Sequence, residues 1–195
     1  DQDVTGINTD HIFCLSGYPW GELEKIENVL SGHTAIENVV MTSSLPGASM
    51  NLTSDWKNPE NKEQALYVTC SYEFPELFQV KMRLGRFFSK EFPSDEEEAV
   101  VINQLMANEL GLFDPLGEKI FFRGKDRQIV GVIDDFMATP PIFNSFPMIM
   151  RLQTWGNNYL LVRYNPDQRQ EATEILQGGL AKLNPGYPVD IGDIN

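Results

Sequence analysis

Gly21-Glu22-Leu23-Glu24-Lys25-Ile26-Glu27-Asn28-Val29-Leu30 sets Leu23, Ile26, Val29 and Leu30 at steps of three and four, which predicts a helix with one apolar face and one charged face. Ser31-Gly32 supplies a permissive helix end. On the N-terminal side, Ile12-Phe13-Cys14-Leu15 is a strand-sized apolar run. On the C-terminal side, residues 36–43, with Val39, Val40 and Met41, form another. Strand, helix and strand make a βαβ-like opening unit. The far end of the chain repeats that order. Residues 158–164 alternate as a strand, 167–183 predict a helix with Ala172, Ile175, Leu176 and Leu180 facing inward, and 189–191 predict a last strand.

The middle of the chain reads differently. Residues 44–64 are rich in Ser, Asn, Pro and Gly and keep no period, which predicts a long surface loop. Strands are expected at 65–71, 99–103, 119–122, 128–134 and 148–152. Short helices are expected at 75–80 and at 104–110, the latter closed by Gly111. Arg123-Gly124-Lys125-Asp126 reads as a hairpin turn, residues 94–98 as a solvated acidic connection, and Gly85-Arg86-Phe87-Phe88 as a change of direction. Prolines exclude 139–147 from any sheet ladder and make it a loop that carries Phe143 and Phe146 toward an apolar surface. The fold class is therefore α+β. An α/β lobe of two βαβ-like units spans residues 1–70 and 148–195, its outer units paired through right-handed crossovers, and a β-rich lobe with a short helix is inserted at 71–147.

Composition narrows the function. Twenty-eight acidic against fifteen basic residues give a net charge of −13, which repels phosphate backbones and argues against nucleic acid as a partner. No window reaches the ~18 apolar residues that span a bilayer, and no leader opens the chain at Asp1-Gln2-Asp3, as expected of a mature or trimmed soluble domain. Cys14 and Cys70, the two cysteines, are expected to be buried free thiols.

Candidate chemistry is sparse. His11 and His33 lack companions at metal spacing. Ser54-Asp55-Trp56-Lys57 matches the S-x-x-K of penicillin-recognising enzymes but sits in the polar loop without the S-D-N and K-T-G elements. Asp95-Glu96-Glu97-Glu98 stacks acids without the turn residues of a calcium loop. Asp134 and Asp135, adjacent on a strand, point to opposite faces and do not share a proton. No phosphate-binding loop or nucleophile elbow is present. No catalytic residue, cofactor or metal is assigned.

Five short motifs in order carry a resemblance. Gly85-Arg86-Phe87-Phe88-Ser89 fits G-R-x-F-S/T. Val100-Val101-Ile102-Asn103 fits the strand that follows. Leu110-Gly111 precedes Asp114-Pro115-Leu116-Gly117-Glu118-Lys119-Ile120, and Ile129-Val130-Gly131-Val132-Ile133-Asp134-Asp135-Phe136 fits I-V-G-V-x-x-D-F. Together with Thr5-Gly6-Ile7-Asn8-Thr9-Asp10 and the approach Tyr72-Glu73-Phe74-Pro75, this text resembles the periplasmic core domain of MacB/FtsX-type ABC transporter permeases across nearly the whole chain. Tyr72-Glu73-Phe74 replaces the usual D-Y-F, and Met137-Ala138-Thr139-Pro140-Pro141 replaces the H-x-x-S-L after the D-F, which implies specialised surface loops.

The resemblance implies a porter-like α/β lobe and a domain held between the first and second of four membrane helices, at the extracytoplasmic (periplasmic) face of the bacterial inner membrane. The permease works as a dimer with a second permease subunit and cytoplasmic ATPase subunits. It couples their motion to export, substrate release or regulation of a periplasmic partner or cargo. Gly85, Arg86, Asn103, Gly111, Gly117, Gly131, Asp135 and Phe136 are then structural residues of the family motifs, none catalytic. The isolated domain is expected to be a metal-free monomer. The rival of a different class is a free extracytoplasmic binding protein that captures a small molecule or peptide between its lobes, with Phe143, Phe146 and Trp155 as lining.

Overall fold

The structure, a computed structural model, describes residues 6–46, 51–53, 64–136 and 146–194. β1 (Ile12–Ser16), α1 (Leu23–Leu30) and β2 (Ile36–Thr42) open it. β3 (Asn51–Thr53), β4 (Ala65–Cys70), α2 (Phe74–Phe78), β5 (Met82–Gly85), α3 (Asp95–Glu98), β6 (Ala99–Asn103) and α4 (Gln104–Glu109) follow. β7 (Lys119–Phe122), β8 (Lys125–Ile133), β9 (Met148–Leu152), β10 (Tyr159–Tyr164), α5 (Arg169–Leu183) and β11 (Gly192–Asp193) complete it. The chain is α+β, with helices against one mixed sheet in which β11-β1-β10-β2-β4-β9-β6-β8-β5 run side by side.

The terminal units interdigitate. β10 is antiparallel to both of its neighbours, β1 and β2, and β1 is antiparallel to both β10 and β11. Each βαβ unit is thus split by a strand of the other, the arrangement of ferredoxin-like folds, with residues 43–158 inserted between its second and third strands. The alternation that predicts the strands also assigns their faces. Phe13, Leu15, Val39, Met41, Leu160, Val162 and Tyr164 point to one side, where α1 and α5 cover them with Leu23, Ile26, Leu30, Ala172, Leu176 and Leu180.

The second half-sheet is built from the insertion and its borders. β4 and β9, which flank the expected borders near 70 and 148, pair in parallel with each other. β9 then pairs with β6, so both strands belong by hydrogen bonding to this half. β7 and β8 form a hairpin in which Phe122 faces Lys125, leaving Arg123-Gly124 as a two-residue turn at φ 50° and 81°. Those signs are those of a type I′ turn, whose twist matches the strands. β5 answers no apolar alternation in the sequence, because Arg83 and Leu84 are exposed on this edge strand. The acidic connection at 94–98 is also corrected: it contains α3, and Asp95 is buried rather than solvated.

Between the half-sheets, β2 and β4 pair at a single position, Thr42 opposite Cys70. Around it, Ser71 N donates to Met41 O and Ser43 N to Thr69 O, each at 2.9 Å. Met41 N and Thr69 N donate to the hydroxyls of Ser71 and Ser43. Thr42, Ser44, Thr69, Ser71 and Asn157 are all buried here, so the seam is polar and hydrogen-bonded, with Thr69 Oγ1 2.6 Å from Asn157 Oδ1. Apolar packing closes over it. Ile12, Val40 and Leu161 of the first half share one core with Leu66, Val68, Phe74, Leu77, Phe78, Val101, Met150 and Phe136 of the second, and α2 lies on that shared face.

On β10, Arg163 occupies the face that Leu161 fills with an apolar side chain. Its guanidinium donates to Leu77 O (3.0 Å from Nε), Asp10 O (2.8 Å) and Asn8 O (2.9 Å). Leu77 lies in the last turn of α2, whose carbonyls lack helical partners and carry the negative end of the helix dipole. One cation thus ties β10, α2 and the entering segment 8–10, and burial holds its pKa below the usual arginine value. Arg163→Leu strands three carbonyls and is expected to cost about 3 kcal/mol. Urea unfolding measures the loss. Hydrogen exchange at the Asn8 amide, bonded to Phe78 O, should accelerate in the variant, and an unchanged Asn8 rate would show that the clamp is idle.

Candidate functional site

Gly85, Arg86 and Gly131 gather into one structural knot, and Asn103 and Asp135 into another. At the first, Gly85 and Gly131 are opposite each other where β5 meets β8. A Cβ on Gly131 would lie 2.1 Å from Arg86 O, and one on Gly85, at φ +67°, would lie 2.3 Å from Val130 O. Only two glycines allow the backbones this approach. The approach aims Arg86 at Asp95, with two nitrogen-to-oxygen contacts of 2.6 and 2.8 Å, and sets its guanidinium 3.7 Å from the centre of the Phe92 ring. The Asp95 hydrogen bond raises the Arg86 pKa. The pair fixes the 86–95 loop.

At the second knot, Asn103 Oδ1 accepts from Met106 N (3.0 Å) and Met148 N (2.8 Å), while its Nδ2 donates to Phe146 O. Asp135 Oδ1 accepts from Leu105 N at 3.0 Å. The two motif residues therefore share the first-turn donors of α4, and Asn103 also fixes the start of β9. Phe136 is buried in the shared core beside Phe74, with ring centres 6.3 Å apart. Gly111 follows α4, and Gly117 N donates to Ile129 O.

The remaining candidates are scattered. His11 packs edge-on against Tyr164, and His33 is exposed. Asp134 pairs with Arg83 at 2.8 Å, away from Asp135. Cys14 and Cys70 are separate free thiols, and burial pushes both up from the usual thiol range. Ser54 to Lys57 and Phe143 lie outside the described residues. Among the described residues no group of three or more His, Cys, Asp or Glu is placed to hold a metal.

What the fold does form is a cleft of about 560 Å³ where α1 of the first half faces the 86–95 loop of the second, lined by Glu22, Glu24, Glu27, Tyr72, Lys90 and Trp155. Lys90 Nζ bridges to Glu27 at 2.6 Å and stands 5.6 Å from the Tyr72 ring centre, and Glu27 raises its pKa. The Leu23 amide donates to Thr154 O at 2.8 Å, which fixes the start of α1 against the β9–β10 connection carrying Trp155. Trp155 lines this cleft as a half-open indole, whereas Phe146 packs at the edge of the shared core. Sequence reasoning missed Glu27 and Lys90, which are 63 positions apart with ordinary neighbours. Arg163 did leave a signal, a lone charge inside Leu160-Leu161-Val162-Arg163-Tyr164. A second cavity of about 600 Å³ runs along the outer edge of β1 between Trp20 and Tyr187.

Comparison with known proteins agrees with this architecture. A family model described as MacB-like periplasmic core domain matches residues 7–176. The solved periplasmic region of MacB from Actinobacillus actinomycetemcomitans superimposes with a TM-score of 0.65 at 13% identity, covering 99% of this chain and 92% of that one. The extracellular domain of the noncanonic ABC-type transporter YknZ from Gram-positive bacteria does so with a TM-score of 0.63 at 16% identity, over 94% of this chain and 99% of that one. No curated protein matches the sequence closely enough to count as a relative. Gly131→Ala drives a methyl group into the Arg86 carbonyl and is expected to destabilise the fold by about 3 kcal/mol, lowering Tm by roughly 6–12 °C. Differential scanning calorimetry checks this, and a Tm within error of the parent would show that the β5–β8 approach is not obligatory.

Proposed function

Because the chain belongs to the family of MacB-like periplasmic core domains, the extracytoplasmic domains of MacB/FtsX-type ABC transporter permeases, we propose that its work is mechanical and non-catalytic. It carries membrane-helix motion, driven by cytoplasmic ATPase subunits in a permease dimer, to export, substrate release or regulation of a partner outside the membrane. The observation that supports this reading most is the apolar core shared by the two halves. An interior packed to crystal-like density has low compressibility and transmits displacement rather than absorbing it.

We assign the input side of such a lever to two neighbouring segments. Phe13 pairs with Asp193, and Ile194 N donates to Ile12 O at 3.2 Å, so the segments leading into β1 and out of β11 are neighbours. The entering segment is held by Arg163 against α2 as well, so a pull on it reaches both halves at once. Within the insertion, residues 71–147 are the far arm, whose surface is where cargo or partner is met. The −13 charge opposes self-association of the domain alone, which is then monomeric.

The cleft supports a second reading, a binding protein that captures a small molecule or peptide between the halves, because its aromatic and charged walls stand open to solvent. A lock across the cleft separates the two. Cysteines placed at Glu27 and Lys90 of the full-length permease, with Cys14 replaced by Ser, are joined by a short bismaleimide. A lever that moves as one body continues to transport at close to the unlocked rate with the lock closed. Transport abolished by the lock, with ATP binding intact, would contradict the lever and favour a clamp that opens at this cleft.

A further inference from the structure

The cleft between α1 and the 86–95 loop already contains a ligand-like group, the ammonium of Lys90. That ammonium is held by three features that together define a cation site. The Glu27 carboxylate, less exposed than the lysine at 24% against 62%, meets it at 2.6 Å. The face of Tyr72 lies 5.6 Å away, within cation–π range. Around them is a cavity of about 560 Å³, far larger than one ammonium fills, whose other walls are Glu22, Glu24, Leu23 and Trp155. Lys25 takes only the rim of this acidic field, 3.6 Å from Glu22.

We infer that this cleft is a binding site for a primary alkylammonium ligand, and that Lys90 is its tethered occupant, displaced from Glu27 when the ligand enters. The geometry separates holder from occupant. Glu27 is fixed on a helix whose Leu23, Ile26 and Leu30 are buried, and the carboxylates of Glu22 and Glu24 stand on the same α1 surface. Lys90 reaches in on a flexible stem from a loop and is mostly in water, so it leaves at small cost. An incoming ammonium inherits the Glu27 and Tyr72 contacts. Its apolar body packs on the Trp155 indole, 60% exposed with no ring partner of its own among the described residues. The charge of −13 concentrates cations at such a mouth.

Because Lys90–Glu27 also joins the two halves, occupancy releases one of the bonds across the cleft while leaving the shared core and the Arg163 clamp in place. The inference rests on the cleft's own geometry and not on the lever, so the two fail separately: ligand binding is read on the domain alone, the lever only in the full-length permease.

Two sources share this chemistry, a lysine-bearing peptide and a free polyamine. Calorimetric titrations at fixed ionic strength use acetyl-Leu-Lys-Leu-amide and spermidine as probes, against the parent chain, Lys90→Ala and Glu27→Gln. The peptide with its lysine acetylated is the uncharged control. Removing the competing occupant should tighten binding of at least one probe about two- to fivefold, the range of an exposed ion pair. Glu27→Gln should abolish binding, and the acetylated peptide should not bind. In proton–nitrogen spectra the shifts should centre on the Trp155 indole and the α1 amides. Peptide alone, spermidine alone or both binding in this pattern each supports the site and identifies the source. No binding to Lys90→Ala at millimolar probe, equal affinity for Lys90→Ala and the parent, binding that survives Glu27→Gln, or shifts centred elsewhere would each overturn it. Circular dichroism melts of both variants, expected close to the parent because Lys90 is exposed and Glu27 only partly buried, keep a folding defect from passing for a lost site.

Discussion

The seam between β2 and β4 is the constraint on which the rest of the structure depends. A buried sheet must pair every backbone donor, yet at the seam the two strands are in register at only Thr42 and Cys70. The hydroxyls of Ser71 and Ser43 supply the missing acceptors for Met41 N and Thr69 N. Side chains standing in for backbone let the sheet continue while its two halves diverge. Had the donors been left bare, each would have cost about 1–3 kcal/mol, enough to favour separation into two domains. Since the sheet continues, Val40 and Leu161 meet Phe74 and Phe78 in one core, and α2 can lie over both halves.

Two cations reach across that junction, Arg163 and Lys90, and a third, Arg86, holds the loop from which Lys90 extends. Arg163, buried, satisfies carbonyls of α2 and of the entering segment. Arg86, half-buried, fixes the loop that leads to Lys90 by its pair with Asp95. Lys90, exposed, meets Glu27 across the cleft. The inner two tolerate no loss of partner, because a buried unpaired charge or carbonyl is expensive. The outer one is worth little and is replaceable. The three thus run from obligatory in the interior to exchangeable at the surface.

Much of the architecture is legible in the sequence because apolar alternation survives in it. β1, β2, β6, β7, β9 and β10 and helices α1 and α5 lie where the spacing of their apolar residues puts them. The order of strands is less legible. Residues 158–164 alternate equally well beside either neighbour, and nothing local says that β10 enters between β1 and β2. β5 escapes notice because an edge strand with Arg83 and Leu84 in solvent has no apolar face to show. Asp95 reads as one more acid in a run of four, and only Arg86, nine positions away, makes it a buried partner. The candidate cleft is invisible for the same reason: its parts, Glu27, Tyr72, Lys90 and Trp155, come from four separate stretches and become a site only when the halves close. Resemblance of the motif text fares better, because glycines such as Gly85 and Gly131 record a backbone approach that tolerates no other residue.

The proposed lever requires that the two half-sheets, the polar seam and the one shared core form a single body. Native-state hydrogen exchange in increasing urea tests it most directly, by following the slowest amides of β1, β2 and β10 beside those of β6, β8 and β9. A single body predicts that both sets merge into one global opening, with the same free energy and the same dependence on urea. Two sets that open at separate free energies, the inserted half unfolding while the ferredoxin-like half stays closed, would contradict it.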